Sequence, residues 1–226
     1  DYYTHERYGV PSLFRGNQRT EEDKGTYVTD VFRREALRFV REQKAKPFFL
    51  YLAFNAPHGA SSFAPDAEPK AGEKKAGVGV QAPEKYLKLY PNRDPKNNVT
   101  RYLAAVTCMD EAIGELLGTL RDLGLERDTL VIFMSDNGGS GNGGNAPLKG
   151  AKSTMWEGGL RVPFLARWPG RLPANAVTDE FLTSLELFPT LLAATGAKPP
   201  TGVKLDGFDM TPVLQGKAKS SRSEMF

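Results

Sequence analysis

The sequence predicts an α/β layered fold with a mostly parallel sheet, and three observations carry that expectation. Residues 48–54 (FFLYLAF) and 129–134 (TLVIFM) are continuous apolar runs of strand length, the pattern of strands buried on both faces. Residues 29–43 and 99–123 place apolar side chains at helical spacing, which marks helices that cover a core with one face. Along the chain the order is helix, strand, long loop, helix, strand, loop, strand, helix, an alternation that layers helices on a sheet.

The elements follow in order. Residues 1–25 are polar, aromatic and turn-rich, and read as an excursion over the surface. His5-Glu6 lacks the second histidine of H-E-x-x-H, so His5 is expected to be a surface histidine. Helix 29–43 has Thr29 or Asp30 as its cap, with Phe32, Ala36, Phe39 and Val40 on one face and Arg33, Arg34, Arg38 and Arg41 solvated. The apolar run 48–54 stops at Asn55-Ala56-Pro57-His58. Residues 59–98 form a long irregular loop region with a low-complexity core at 69–79, and a connection of that length is uncommon unless it serves a function. Tyr86, Tyr90 and Arg93 are expected to pin it. Helix 99–123 carries a stripe of Tyr102, Leu103, Val106, Met109, Ile113, Leu116, Leu117 and Leu120 and ends at Gly124. After strand 129–134, residues 162–168 give a further strand closed by Pro169-Gly170. Thr183-Ser184-Leu185-Glu186 is a capping box opening a helix over 187–194; Pro189 is tolerable in its first turn, and Gly196 stops it. Residues 205–208 are expected to pack back onto the domain.

Composition excludes several classes. The 226 residues are enough for one sizeable core, and nothing indicates disorder or repeats. A formal charge of +3, from 30 basic and 27 acidic residues, is too small to imply nucleic acid or a membrane surface. No apolar run is long enough to span a bilayer. The single cysteine, Cys108, excludes an internal disulfide. The chain starts at Asp1 without an initiator methionine and reads as a piece of something longer.

Chemistry concentrates after the second apolar run, at Ser135-Asp136-Asn137-Gly138. In open α/β sheets ligands bind beyond the carboxyl ends of the strands. A carboxylate beside an amide carbonyl offers two hard oxygens suited to calcium or magnesium. On these residues alone a plain Asn-Gly turn serves as well. The glycines that follow do not make a phosphate-binding loop, because Ala151 separates Gly150 from Lys152-Ser153 and no glycine stands at the required earlier position. His58 also follows an apolar run, and two parallel strands would bring it to the same sheet edge as Asp136.

The string SDNGG, the lysine of AKSTMWEGG, the following LRVPFLARWPG and the earlier PFFLYLAFNAPH together resemble the sulfatase family of the alkaline phosphatase superfamily. YYTHERYG, SLELFPTLLAATG and LDGFDMTPVLQGK extend the resemblance over nearly the whole chain; it is weakest between residues 59 and 96. By position it implies that Asp136 and Asn137 are metal ligands and that His58 and Lys152 are catalytic and bind the substrate sulfate. Lys149 falls outside the matching slot and is taken as a loop lysine. The family's nucleophile is a formylglycine made from Cys or Ser in C-x-P-x-R or S-x-P-x-R. Cys108-Met109-Asp110-Glu111 has neither the proline nor the arginine, so Cys108 is expected to pack inside its helix.

The resemblance further implies an incomplete three-layer sandwich of alkaline-phosphatase type, with residues 1–226 as the central and C-terminal portion of the catalytic domain. It implies hydrolysis of sulfate esters, of a sulfated carbohydrate or an aryl sulfate, through a calcium-bound formylglycine (magnesium being the alternative metal) that lies outside this segment, so that the segment alone is inactive. A phosphate or phosphonate ester hydrolase of the same superfamily and a non-catalytic glycan-binding relative remain as alternatives. The partner implied is a sulfated small molecule or glycan, without nucleic acid or a membrane span; the resemblance favours a secreted, periplasmic or lysosomal location. Asn98-Val99-Thr100 fits a glycosylation sequon.

Overall fold

The computed structural model describes residues 1–7, 9–63 and 77–224, and the chain divides into two compact units. The first comprises Asp1–Leu125 and Asp136–Val162, the second Glu126–Ser135 and Pro163–Phe226.

In the first unit the opening segment forms two short antiparallel hairpins, β1 (Glu6–Arg7) with β2 (Val10–Pro11) and β3 (Phe14–Arg15) with β4 (Gln18–Arg19). Contrary to the surface expectation, His5 is only 6% exposed. Its Nε2 lies 2.8 Å from the Thr26 carbonyl, and since a carbonyl only accepts, this nitrogen carries the proton. Helix α1 (Val28–Gln43) is preceded by Tyr27 as N-cap without a side-chain cap bond. Asp30 pairs with Arg33 at 2.9 Å instead of capping. Val31, Ala36, Leu37 and Val40 form the buried face, with Phe32 and Phe39 half-buried.

The long irregular region contains an antiparallel pair, β5 (Ala60–Phe63) with β6 (Gly77–Gly79), and a single-turn helix α2 (Glu84–Leu87). Most of the low-complexity stretch 69–79 lies outside the described residues. Helix α3 (Asn98–Asp122) is capped by Asn97, whose side chain accepts from the Val99 amide at 2.8 Å. Its most buried face is Ala104, Ala105, Cys108 and Ala112, where the expected stripe of large residues is mostly half-buried. Small side chains let α1 and α3 approach closely, so close packing selects the alanine face. Cys108 is fully buried, and burial pushes its thiol up to about 11. Tyr86, 1% exposed, donates to Glu111 of α3 at 2.9 Å, and the Tyr90 hydroxyl lies 2.8 Å from Thr107. These two tyrosines tie the irregular region to α3.

The run 48–54 belongs to no ladder among the described residues. Phe48 packs edge-on against Phe39 with centroids 5.7 Å apart, while Phe49 and Tyr51 are 71% and 82% exposed. Apolar composition favours a buried strand, but a ladder also needs a partner. A last short helix of this unit is α4 (Glu157–Leu160).

In the second unit β7 (Val131–Met134) pairs with β8 (Phe164–Arg167). The pair is antiparallel, with Val131 opposite Arg167 and Met134 opposite Phe164. The named strands among the described residues pair in antiparallel twos, beside an isolated parallel bridge of Pro169 with Leu172, and do not by themselves make up the mostly parallel sheet expected. β7 is half-buried rather than buried on both faces, and among the described residues no third strand joins its sheet. A 3₁₀ turn over Ser184–Glu186 leads into α5 (Leu187–Thr195), and α6 (Thr211–Leu214) follows. The capping box is present: Glu186 accepts from the Thr183 amide at 2.6 Å, and Thr183 accepts from Leu185 at 3.2 Å. Gly196, at φ 70°, terminates α5 in the left-handed region. The 205–208 stretch returns to this turn: a Cβ on Gly207 would sit 1.9 Å from the Leu185 carbonyl.

Candidate functional site

Asp136, Asn137 and Lys152 belong to one hydrogen-bonded loop system in the first unit. After Asn137, the Gly138 amide donates to Gly159 at 3.1 Å, and the Lys152 amide donates to Gly139, also at 3.1 Å. The Gly158 amide donates to Lys149 at 2.8 Å. The segment after Asp136-Asn137 is thereby tied both to the lysine and to the Trp156-Glu157-Gly158-Gly159 turn. These bonds require bare glycines. A Cβ on Gly138 would stand 1.9 Å from the Gly158 carbonyl oxygen, and one on Gly158 would stand 2.3 Å from that of Gly150.

Asn145, which sequence reading passed over, closes the loop. Its Oδ1 accepts from the Gly139 amide at 2.7 Å, and its Nδ2 donates to the Gly139 and Gly150 carbonyls at 2.8 and 3.2 Å. The signal available was an asparagine amid glycines, a residue able to pair with backbone where no strand does so. Thr154 accepts from the Ala151 amide at 3.2 Å and donates to its carbonyl at 2.8 Å, holding the turn that carries Lys152.

The side chains of Asp136 and Lys152 are exposed, and Asn137 is half-buried. Lys149, read as a loop lysine, has its ammonium 3.6 Å from the centroid of the Trp156 ring. This contact adds a cation–π attraction to the turn and distinguishes Lys149 from Lys152.

His58 lies in the same unit but is positioned by other elements. Its backbone carbonyl accepts from the Tyr2 hydroxyl at 2.9 Å, and Tyr2 is stacked on Tyr27 with centroids 5.1 Å apart. The His58 Nδ1 lies 2.6 Å from the Gly59 carbonyl, so Nδ1 carries a proton and the chemistry left to the exposed ring falls to Nε2. Tyr2 is a further residue that sequence reading did not single out. Its role comes from a contact 56 positions away, which no local pattern reports.

The donor set of Asp136 and Asn137 is one carboxylate and one amide oxygen, both hard. It fits part of a calcium or magnesium shell, which takes about six or more oxygens. Among the described residues no group of three or more His, Cys, Asp or Glu is arranged to hold a metal. No helix among the described residues is long and apolar enough to cross a membrane.

Comparison with known proteins identifies the family. A sequence model described as Sulfatase matches residues 2–197. The N-acetylgalactosamine-6-sulfatase of Canis lupus familiaris is 34% identical over 203 residues, covering 86% of this chain and 34% of that protein. The crystal structure of Ps i-CgsB in complex with k-i-k-neocarrahexaose is 35% identical with a TM-score of 0.74, covering 90% of this chain and 41% of that one. The PsFucS1 sulfatase from Pseudoalteromonas sp. is 29% identical with a TM-score of 0.64, over 85% of this chain and 36% of that one. The chain thus spans about a third of the length of the curated relatives it matches.

Proposed function

Because this chain belongs to the sulfatase family and has an alkaline-phosphatase-like fold, we propose that it serves the hydrolysis of sulfate esters. Asp136 and Asn137 act as metal ligands, and His58 and Lys152 act on the sulfate. The observation that carries this reading is the pair of backbone bonds from Gly138 to Gly159 and from Lys152 to Gly139, which makes the two oxygen donors and the lysine parts of one loop.

Sulfate ester hydrolysis puts negative charge on the sulfuryl oxygens and on the departing alcohol oxygen, so fixed cations and donors are its main need. The Lys152 ammonium pairs with a sulfate oxygen. His58, with Nδ1 held by Gly59, presents Nε2 and, when protonated, gives its proton to the leaving oxygen. When present, calcium or magnesium at Asp136 and Asn137 would supply further positive charge, and a formylglycine outside these 226 residues would supply the nucleophile. In the complete sheet of this reading, strands are mostly parallel and the run 48–54 is one of them. The substrate is a sulfated carbohydrate or an aryl sulfate, a choice supported by the names of the relatives.

The test has two arms. The purified 226-residue chain should not turn over an aryl sulfate, and turnover would overturn the placement of the nucleophile. In an enzyme that carries the nucleophile as well, Lys152→Ala should lower kcat/KM by roughly a hundredfold; an unchanged value would remove Lys152 from the site.

A further inference from the structure

The second unit contains a groove of about 360 Å³, lined by Trp168, Arg171, Asp209, Thr211, Gln215 and Lys217. Its two cations differ from the other paired arginines of this unit. Arg167 pairs with Glu126 and Arg222 with Glu186, whereas neither Arg171 nor Lys217 has a carboxylate within ion-pairing distance among the described residues. Both are exposed, and the small side chains of Ala193 and Ala194 leave room beside them.

Arg171 is also held in place. Its guanidinium lies 4.7 Å from the centroid of the Trp168 ring. That indole is 9% exposed and donates to the Arg127 carbonyl at 3.1 Å. The Arg171 amide donates to Trp168 at 3.0 Å, and the Arg171 carbonyl accepts from Gln215 Nε2, also at 3.0 Å. A guanidinium stacked on an aromatic face keeps its N–H edge for an oxyanion. The rest of the lining is neutral or acidic. Asp209 uses Oδ1 to accept from the Thr211 amide at 2.9 Å and has a second oxygen for a hydroxyl; the Thr211 hydroxyl and the Gln215 carbonyl add further partners.

Two cations beside a carboxylate and neutral polar groups suit a ligand that is anionic at one point and rich in hydroxyls elsewhere. We propose that this groove is a binding site for an acidic saccharide, with its sulfate or carboxylate on Arg171 and Lys217 and its hydroxyls toward Asp209, Thr211 and Gln215. A bare inorganic anion would gain nothing from Asp209, whose charge opposes it. None of the residues proposed for the hydrolysis lines this groove.

Titration calorimetry on the 226-residue chain tests it with three probes: a dextran sulfate oligosaccharide, neutral dextran of equal length, and inorganic sulfate. The expected result is binding of the sulfated oligosaccharide well above both others. The double variant R171A/K217A should weaken it roughly tenfold or more, as loss of charge-assisted bonds does, while K198A/K219A, with the same net charge, leaves it within twofold. A Thr211→Ala, Gln215→Ala pair, which keeps both cations, should weaken the oligosaccharide but leave inorganic sulfate unchanged. Equal loss in the two charge-matched doubles would show nonspecific attraction and overturn the site. Inorganic sulfate binding as well as the oligosaccharide would overturn the saccharide assignment. If K152A alone abolished binding, the ligand would belong to the proposed hydrolytic site instead.

Discussion

At the scale of single residues, the loop after Asp136 depends on atoms that are missing. Gly138 and Gly158 sit where any Cβ would meet a backbone carbonyl, which no side-chain rotation relieves. Gly138→Ala should therefore destabilise the chain by about 1–3 kcal/mol, the usual cost of overpacking. Gly114 lies exposed within α3, and a Cβ there meets nothing, so Gly114→Ala should stabilise by about 0.5–1 kcal/mol through helix propensity. Thermal denaturation of the two variants checks the opposite signs, and equal shifts would show that the glycine contacts carry no strain. The motif residues were legible in the sequence, since Asp136, Asn137 and Lys152 stand in a recognisable order. Asn145 and Tyr2 were not, because their value lies in backbone groups they reach across space.

At the scale of elements, the start of α5 joins local and long-range chemistry. Glu186 is fully buried and completes the capping box, and it also accepts from Arg222 at 3.0 and 2.5 Å. Burial alone would raise its carboxyl, but Arg222 and Thr183 hold it below its ordinary value of 4.5. A depressed carboxyl contributes stability that is fully present above the ordinary value and is lost as the pH falls through the folded one. Chemical denaturation of the second unit, followed from Trp168 in a Trp156→Phe background, should thus show stability falling on acidification below about pH 4.5. Glu186→Gln should cost about 3 kcal/mol at neutral pH, as breaking a buried pair does, and should flatten that acid dependence. An unchanged acid limb would exclude Glu186 as its source. The capping box was readable from four consecutive residues; Arg222, 36 positions away, was not.

For the molecule as a whole, apolar surface is the conspicuous property. Phe49 and Tyr51 in the first unit and Leu165 in the second are 71%, 82% and 65% exposed, and exposed patches of this kind bind apolar dyes. The 226-residue chain should enhance 8-anilinonaphthalene-1-sulfonate fluorescence, and Phe49→Lys with Tyr51→Lys should reduce it; no change would mean that this run is covered in solution. Sequence by itself determined helices α1, α3 and α5, the β7 and β8 runs, the capping box and the motif residues. Each of these is a periodicity or a short local pattern whose energetics lie within a few neighbouring residues. Tertiary structure alone decided that α3 buries its alanine face, that His5 turns inward, that the run 48–54 enters no ladder among the described residues, and that Asn145 and Tyr2 hold the candidate site. These outcomes depend on which partner arrives from a distant part of the chain, and composition records what a segment can bury without recording what comes to cover it.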